Sequence, residues 1–268
     1  MVLPRPILIF LLGVNLSLGG DKPEFLFLIG EHEYGTKKSL PEFAENNLQP
    51  KGYKTTFIFA KSDDRKESGC HEFPGFLAAL NTADVLVIST RRRFPSTEEM
   101  AAVRRWIADG KPVVGIRTAN HAFAAREKGA GYIPPEGHEA WQGIDIELFG
   151  AKYEGHFPGS TDAETFVRVP DGSEGHPLLA GTKWMKVKKV KTSLYKNREL
   201  VKDATVVLQG FVASGESEPV AWTREIDGQR LFYTSLGGVD DFRESWFQRI
   251  LLNALEWAVD PGTAMKGN

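Results

Sequence analysis

Cysteine is nearly absent from this sequence, which has 268 residues and a single cysteine, Cys70. A lone cysteine cannot form an intramolecular disulfide, so a disulfide-stabilised fold is excluded. Cys70 precedes His71, and a Cys–His pair suggests a nucleophile. Adjacent side chains in an extended loop point in opposite directions, however, so the two do not readily share a proton. We therefore expect a loop thiol, with catalysis by Cys70 as the weaker alternative.

The sequence also has little excess charge of either sign. Its 33 Lys and Arg residues nearly balance its 35 Asp and Glu residues, which gives a formal net charge of −2. Basic stretches interleaved with aromatic residues, which are typical of nucleic-acid-binding surfaces, are missing. Nucleic acid is therefore not an expected partner.

Three motifs that identify common enzyme classes are missing as well. The sequence has no GxSxG elbow, no phosphate-binding P-loop and no GxGxxG turn after its first predicted strand. The turn after that strand reads GEHEYGT, and its negative charge is unfavourable beside a nucleotide phosphate. These absences make nucleotide chemistry an unfavoured interpretation.

Residues 1–20 differ from the rest of the chain. They contain one cation, Arg5, then an apolar run over 7–16, then small residues near the end of the segment. The run is shorter than the roughly 20 residues that a membrane-spanning helix needs. This layout predicts a cleaved secretory signal peptide, and so an exported protein, periplasmic or extracellular, with no membrane span after cleavage. An uncleaved anchor and a buried N-terminal strand are the alternatives.

Apolar strands alternate with amphipathic helices in the first half of the remaining chain. Near-continuous apolar strands separated by helices indicate a parallel sheet with helices on both faces, an α/β fold. The first helix is expected to begin at Ser39, and the third at a cap formed by Ser96 or Thr97. The predicted strands are 24–30, 53–59, 83–90 and 111–116, and the predicted helices are 39–48, 73–80 and 96–110.

The second half alternates less regularly. Residues 129–200 are rich in glycine, proline and charge, so we expect loops with short elements there. The lysine-rich segment 183–191 is expected to form a solvated strand face, with an anionic docking surface as the alternative. No repeat or linker divides the chain, so 21–268 is predicted to be one domain. Regular structure resumes with strands at 205–210, 219–225 and 230–237 and a helix over 246–259.

Polar side chains follow three of the predicted strands. In an open parallel sheet, ligands bind beyond the carboxyl ends of the strands, so we expect these side chains at one edge. The residues after the three strands are Glu31, His32, Glu33 and Tyr34, then Arg91, Arg92 and Arg93, and then Arg117, Thr118, Asn120 and His121.

The arginines have more than one interpretation. At least one of the arginines at 91–93 is expected to face a ligand, and the others to pair with Glu31 or Glu33 or to lie in a solvated turn. Arg117 directly follows a buried strand, where a charge needs a partner. We expect Arg117 to bind either one of these glutamates or a carbonyl, hydroxyl or carboxylate of a ligand.

Two histidines are candidates for proton transfer. His121 is expected in the first turn of a helix capped by Asn120, where a neutral imidazole is favoured, although a purely structural histidine is an alternative. His156 and Glu154 are expected to face the same side of an extended segment. With His32, these residues would form a zinc-type set, but tight ligand spacing is missing. We therefore expect no cofactor, with a divalent metal as a weak alternative.

The sequence resembles the ThuA-like family, of the trehalose-utilisation type, over nearly the whole chain after the leader. The matching segments are, in order, GEHEYGTKKSLPEFA, VISTRRRF, GKPVVGIRTANHAF, FGAKYEGHF, HPLLAG, SLYK, EPVAWTRE, RLFYTSLGGVDDF and FQRILLNALEWA. The resemblance is greatest to an exported branch from planctomycete-like bacteria. It implies a flavodoxin-like, class I glutamine-amidotransferase-like fold, a three-layer α/β sandwich with a mostly parallel central sheet.

The resemblance also implies carbohydrate chemistry, on keto-sugars or related glycosides. Amidotransferases of this fold have a cysteine at the turn where this chain has Arg117, so glutamine hydrolysis through a thioester is excluded. Family members often carry a histidine after the SLG segment, whereas Gly238 stands here. This departure indicates that the local site is incomplete.

In the leading hypothesis the chain is an exported enzyme that acts on a sugar or sugar derivative. A histidine moves a proton, arginines stabilise a developing oxyanion or enediolate, and a glutamate tunes the histidine. A non-catalytic carbohydrate-binding or complex-forming module is the second hypothesis, and a metal-dependent hydrolase the third. The expected partner is a small carbohydrate, with a homo-oligomer as a further alternative. The catalytic candidates are His121, Arg117, His156, Glu33 and Glu31. The substrate-binding candidates are Arg91, Arg92, Arg93, Tyr34, His32, Thr118, Asn120, Tyr195 and Asp241.

Overall fold

The computed structural model describes residues 22–126, 133–157, 164–183 and 187–260, so the predicted leader lies outside it. The strands are β1 (Glu24–Gly30), β2 (Lys54–Phe59), β3 (Val85–Thr90), β4 (Val113–Ile116), β5 (Lys152–His156), β6 (Thr165–Arg168), β7 (Lys188–Val190), β8 (Tyr195–Arg198), β9 (Ala204–Val212), β10 (Ser217–Ile226) and β11 (Gln229–Thr234). The helices are α1 (Thr36–Asn47), α2 (Phe76–Thr82), α3 (Thr97–Ala108), α4 (Ile144–Glu147) and α5 (Ser245–Val259).

Nine of the described strands form one sheet in the order β2-β1-β3-β4-β11-β10-β9-β6-β7. The five strands from β2 to β11 run parallel, as predicted. Each pair from β11 to β7 is antiparallel, so the sheet is mixed and its parallel part is confined to one half. β5 and β8 form a separate antiparallel ribbon. The finer flavodoxin-like assignment and the single-domain boundary stay predictions.

Helices cover both faces of the sheet. Alternate residues of a strand point to opposite faces, and β1 shows this directly. Phe25 and Phe27 belong to a core shared with α1 and α5, whereas Leu26 and Leu28 belong to a second core shared with α2 and α3. The described part of the chain is therefore a three-layer α/β sandwich.

The first helix begins three residues earlier than predicted. The predicted start at Ser39 is wrong because the buried carboxylate of Glu31 accepts the backbone N–H of Tyr34 at 2.8 Å and of Thr36 at 2.9 Å. The bond to Thr36 satisfies the first N–H group of the helix, which no preceding turn can accept, and the bond to Tyr34 fixes the loop that leads into it. Pro41 consequently lies inside α1, beyond its first turn.

The predicted start of the third helix is confirmed. The hydroxyl of Ser96 accepts the N–H of Glu99, and the Glu99 carboxylate accepts the N–H of Ser96 at 2.9 Å. This reciprocal capping box is worth about 1 kcal/mol and fixes the start of α3.

The chain after β4 does not enter the predicted α-helix. Residues Arg117–His121 form a single 3-10 turn, and 122–126 are irregular. The predicted cap at Asn120 is wrong because its side chain bonds the side chains of His121 and Asn197 and no backbone N–H. The turn therefore keeps its polar side chains buried at the sheet edge.

The irregular middle of the chain contributes the short strands β5 to β8. Within 183–191, residues Lys188–Val190 form the edge strand β7, while 184–186 lie outside the described residues. No helix in the described ranges is long and apolar enough to cross a membrane.

Candidate functional site

The carboxyl ends of β1, β3 and β4 lie side by side at one edge of the sheet, because the three strands are parallel neighbours. The main chain joins their loops. The N–H of Arg92 donates to the carbonyl of His121 at 3.2 Å, and that of Arg93 donates to Ala122 at 2.8 Å. An ion pair between Arg91 and Glu33 connects the loop after β3 to the loop after β1. The predicted meeting of these three loops is confirmed.

A cavity of about 1130 Å³ opens at this edge. The β5–β8 ribbon forms one wall, and the loops after β1, β3 and β4 form the other. The ribbon contributes Tyr153, His156 and Tyr195 to the lining. The loops contribute Glu33, Tyr34, Arg91, Arg92, Asn120 and His121.

The two glutamates of the first loop have different surroundings. Glu31 is 2% exposed, and besides the two N–H groups at the start of α1 it accepts the hydroxyl of Thr36. Glu33 lies at the surface and lines the cavity in its pair with Arg91. His32 is exposed and does not line the cavity. The structure therefore places Glu33 at the site and makes Glu31 a support for the loop.

The three consecutive arginines point to three different places. Arg91 pairs with Glu33, as one of the predicted alternatives had it. Arg92 has a left-handed backbone with φ +50°, and its Nη1 donates to the carbonyls of Ala124 and Ala125, each at 3.1 Å. Arg91 and Arg92 both line the cavity.

Arg93 is buried away from the cavity, so the structure gives it no place among the cavity residues. Its Nε donates to the carbonyl of Gly30 at 2.8 Å, and its Nη2 to the carbonyl of Asp63 at 3.2 Å. These bonds tie the end of β1 to the loop after β2. Arg93 therefore stabilises the sheet edge without lining the cavity.

Arg117 is fully buried and serves as a clamp. Its Nη1 donates to the carbonyls of Ser193 and Ser235, and its Nη2 donates to the Ser193 hydroxyl at 2.6 Å. The guanidinium lies over two aromatic rings, 4.5 Å from the Tyr34 centroid and 3.9 Å from the Tyr195 centroid. Such cation–π contacts are worth up to about 2 kcal/mol when they are desolvated. Arg117 thus holds together the end of β11, the residues just before β8 and the loop after β1.

The predicted pairing of Arg117 with Glu31 or Glu33 is wrong. Glu31 is used by the start of α1 and Glu33 by Arg91, so main-chain and hydroxyl oxygens take their place. Burial by itself lowers the pKa of Arg117, but Tyr195 and Tyr34 outweigh it, so the pKa lies above its ordinary value. Its backbone has φ +52°, a conformation that non-glycine residues rarely adopt. Arg117 lines a smaller adjoining cavity of about 250 Å³ and not the larger one.

A chain of amides fixes the tautomer of His121. Nδ2 of Asn197 donates to the carbonyl of Pro219 at 2.9 Å, so Oδ1 of Asn197 is left to accept from Nδ2 of Asn120 at 3.4 Å. Oδ1 of Asn120 then faces Nδ1 of His121 at 2.6 Å, and a carbonyl oxygen can only accept. Nδ1 of His121 therefore carries the proton, and Nε2 is the free acceptor.

The imidazole of His121 lies flat against Tyr153, with ring centroids 4.4 Å apart and planes at 14°. Burial lowers its pKa well below 6.5, and the positive charges of Arg92, Arg91 and Arg117 lower it further. His121 is accordingly neutral at neutral pH. Its Nε2 has no hydrogen-bond partner in the described part of the chain, and His121 is one of the residues that line the cavity.

Three further candidates differ in their placement. His156 is exposed at the cavity wall, with Nδ1 3.2 Å from the carbonyl of Phe157. Thr118 is buried, and its hydroxyl has no partner among the described residues. Asp241 is also buried and does not line the cavity; its carboxylate accepts the N–H groups of Gly237 and Gly238 and so shapes the loop after β11.

Two residues that were not predicted belong to the surroundings of His121. Tyr153 stacks on the His121 ring, and Asn197 bonds Asn120. The prediction that Glu154 and His156 face the same side of the chain depends on regular alternation along β5. A bulge at Gly155, with φ +85°, interrupts that alternation, so that Tyr153, Glu154 and His156 all line the cavity. Tyr153 could have been identified, because it stands in the segment YEGH beside Glu154 and His156. Asn197 could not, because its partners Asn120 and Pro219 are remote in sequence.

The Cys–His pair of the sequence lies elsewhere. Cys70 is buried, and its thiol lies 3.7 Å from the carbonyl of Arg65, while Nδ1 of His71 accepts the N–H of Phe94 at 3.1 Å. The two side chains have separate partners, as expected for a structural thiol. Neither residue lines the cavity.

The described residues contain no group of three or more His, Cys, Asp or Glu side chains that could hold a metal ion. The set considered from the sequence, His32 with His121 and His156, is not assembled, because His32 lies outside the cavity.

The sequence profile of the trehalose-utilisation family ThuA matches residues 42–258, which is most of the chain and includes β3, β4 and the β5–β8 ribbon. This chain belongs to the ThuA family. A comparison with curated protein sequences gave no match.

Solved structures share the fold of this ThuA protein at low sequence identity. A ThuA-like protein from Parabacteroides merdae has a TM-score of 0.56 and 16% identity, over 88% of this chain and 90% of that one. A cold-adapted β-galactosidase from Rahnella sp. R3 has a TM-score of 0.53 and 10% identity, over 89% of this chain and 32% of that one. The carbohydrate deacetylase Agd3 gives 0.51 and 12%, over 85% and 32%. At these identities the similarities show the fold alone, and the two enzymes contain it as about a third of their length.

Proposed function

We propose that this ThuA-family protein is an enzyme that acts on a sugar or sugar derivative, with His121 as the residue that takes the proton. The observation that carries the proposal is the contact between Nδ1 of His121 and Oδ1 of Asn120, which assigns the proton to Nδ1 and leaves Nε2 as the acceptor of a residue that lines the cavity. A neutral imidazole with an open nitrogen accepts a proton from a hydroxyl, or from a carbon next to a carbonyl. The family's trehalose-utilisation description supports a carbohydrate as the substrate.

The charges beside His121 suit a reaction in which negative charge develops. Removal of a proton from the carbon next to a sugar carbonyl gives an enediolate, whose charge a nearby guanidinium stabilises. Arg91 lines the cavity and also lowers the pKa of His121, so it is close enough to act electrostatically on the same region. Keto-sugars, and glycosides that carry a keto group, contain the carbonyl that this chemistry needs.

The tyrosines supply hydrogen-bond donors and form part of the cavity wall. Burial raises the pKa of Tyr153, so its phenol stays protonated and donates to a substrate oxygen. In this proposal Arg117 is a positioning residue, because it contacts the rings of Tyr34 and Tyr195 and does not line the large cavity.

The test compares His121→Gln with a matched control, His32→Gln, because His32 lies on the neighbouring loop but outside the cavity. Wild type and both variants are assayed on trehalose, its keto derivatives and other disaccharides. Loss of a general base lowers turnover by about 10² to 10⁴-fold, so we expect this in His121→Gln alone. Equal activity in the two variants would remove His121 from the mechanism.

A non-catalytic carbohydrate-binding module is the second candidate. Two observations favour it: both terminal nitrogens of Arg117, at the strand-to-turn position, are bound by protein groups, and the low pKa of His121 makes it a weak base. Sugar binding by calorimetry without turnover of any sugar in the panel would support this candidate over the enzyme.

We also propose that residues 1–20 direct export and are cleaved, on the basis of their cation, apolar run and small residues. N-terminal sequencing of the full chain, expressed with its leader in a Gram-negative host, tests this. A periplasmic product that begins near residue 21 supports it, and a cytosolic product that retains Met1 contradicts it.

A further inference from the structure

The cations that line the large cavity differ in their partners. Arg91 pairs with Glu33, and Lys152 pairs with Glu154 at 2.7 Å. Arg92 has no carboxylate partner in the described ranges, and its Nη1 is held by two main-chain carbonyls. Its Nε and Nη2 have no hydrogen-bond partner among the described residues, and Arg92 lines the cavity.

Both the backbone and the surroundings of Arg92 are unfavourable for a cation. Its backbone is left-handed at φ +50°, and strain of this kind in a non-glycine residue typically persists at functional sites. Burial lowers the pKa of Arg92, and the positive charges of Arg126 and Arg91 lower it further. A bound anion would offset both the desolvation and the repulsion between these guanidinium groups.

The form of the anion follows from the donors that remain. Backbone N–H groups at the start of a helix are the usual cradle for a phosphate, but at α1 the first of these groups, the N–H of Thr36, is already bound by Glu31. What remains is a planar guanidinium edge, whose donor spacing matches the two oxygens of a carboxylate. His121 and the Tyr153 ring lie in the same cavity and would contact the rest of a sugar.

From this arrangement we infer that the cavity selects sugars that carry a carboxylate, such as a uronic or aldonic acid unit, and that Arg92 is the residue that recognises it. The inference rests on the proposed function, because it assumes that the cavity binds a sugar. It adds a specificity that neither the family nor the tautomer of His121 implies.

Titration calorimetry with four probes tests the inference: D-glucuronate, D-gluconate, D-glucose and D-glucose 6-sulfate. One or two charge-assisted hydrogen bonds correspond to about a 10- to 100-fold change in affinity, so both acids should bind wild type that much more tightly than glucose. Arg92→Gln should remove this preference, so that neither acid binds more tightly than glucose does. Arg243→Gln, which changes an exposed arginine outside the cavity, is the control and should keep the preference.

Several outcomes would overturn the inference. Equal affinity of wild type for glucose and glucuronate would do so, as would an acid preference that survives in Arg92→Gln. Tighter binding of D-glucose 6-sulfate than of either sugar acid would show that a carboxylate is not the group that the cavity selects. If neutral keto-disaccharides are turned over in a His121-dependent manner while the acids do not bind, the proposed function stands and this inference alone fails. If neither sugars nor sugar acids bind, both fail.

Discussion

The guanidinium carbon of Arg117 lies 3.9 Å from the centroid of the Tyr195 ring, and the same ring is 6.1 Å from the His121 ring. The Tyr195 ring is thus a neighbour both of Arg117 and of His121, which lines the cavity. Tyr195 belongs to β8, so the ribbon is fixed to the sheet edge through this contact. Arg117 therefore positions residues of the site without lining the large cavity itself.

Replacement of Arg117 by lysine should destabilise the protein. Lysine keeps the charge but loses the planar fork, so the bonds to two carbonyls and to the Ser193 hydroxyl cannot all be kept. Hydrogen bonds to charged groups contribute about 1.5–3 kcal/mol each, so we expect a loss of roughly 2–4 kcal/mol in the free energy of unfolding. Urea denaturation measures it. Arg243→Lys is the control, since exposed ion pairs are worth about 1 kcal/mol or less. Similar losses in both variants would show that Arg117 is no clamp.

Replacement of Asn197 by alanine should impair the site through His121. The change removes the link between Pro219 and Asn120, so the Asn120 amide is free to turn and present its NH₂ group to Nδ1 of His121. We expect turnover to fall about tenfold or more, with KM changed less, because the fraction of His121 in the required tautomer falls. Asn46→Ala is the control, as that exposed amide bonds only a carbonyl of its own helix. Unchanged kcat in Asn197→Ala would contradict the role of the amide chain.

The stability of the protein should fall as the pH drops below 6.5. Burial lowers the pKa of His71 and of His176 to about 4. Between pH 6.5 and 4 the unfolded chain binds protons at these histidines and the folded protein does not, so acid favours unfolding. Each histidine contributes at most about 1.4 kcal/mol per pH unit in this window, and less near its two ends. Urea midpoints at pH 7.5, 6 and 5 should show a shallower pH dependence for His71→Gln than for wild type, whereas identical slopes would contradict buried neutral His71.

Gly115 provides a test of the packing between β4 and the helical layer. A Cβ at this position would lie 2.4 Å from the ring of Phe149. Overpacking of a core usually costs about 1–3 kcal/mol, so Gly115→Ala should lower the melting temperature by several degrees. At Gly175 an added Cβ meets nothing within 4 Å, and Gly175→Ala should change stability by less than about 0.5 kcal/mol. Scanning calorimetry distinguishes the two, and a neutral Gly115→Ala would mean that Phe149 packs differently.

Much of the parallel half of the fold could be predicted because its signals are local. β1 and β3 are continuous apolar runs, and the start of α3 depends on residues three positions apart, Ser96 and Glu99. The meeting of three loops followed from strand direction alone. The start of α1 was misplaced because its cap comes from Glu31, which precedes the helix by five residues.

The details of the site depend on contacts that sequence patterns do not contain. β5 and β8 are short and polar, and their pairing joins segments about forty residues apart, so periodicity gives little indication of them. The left-handed backbone of Arg117 and the bond from Asn120 to Asn197 exist only once distant strands are in place. Tertiary packing decided both.

The tautomer of His121 is the central claim, and nitrogen-15 NMR of the histidine rings at pH 7 tests it most directly, with His121→Gln used to assign the signals. We predict a neutral ring with the proton on Nδ1 and an unprotonated Nε2 whose shift responds to a bound sugar. A ring protonated on Nε2, or an imidazolium at pH 7, would contradict the account.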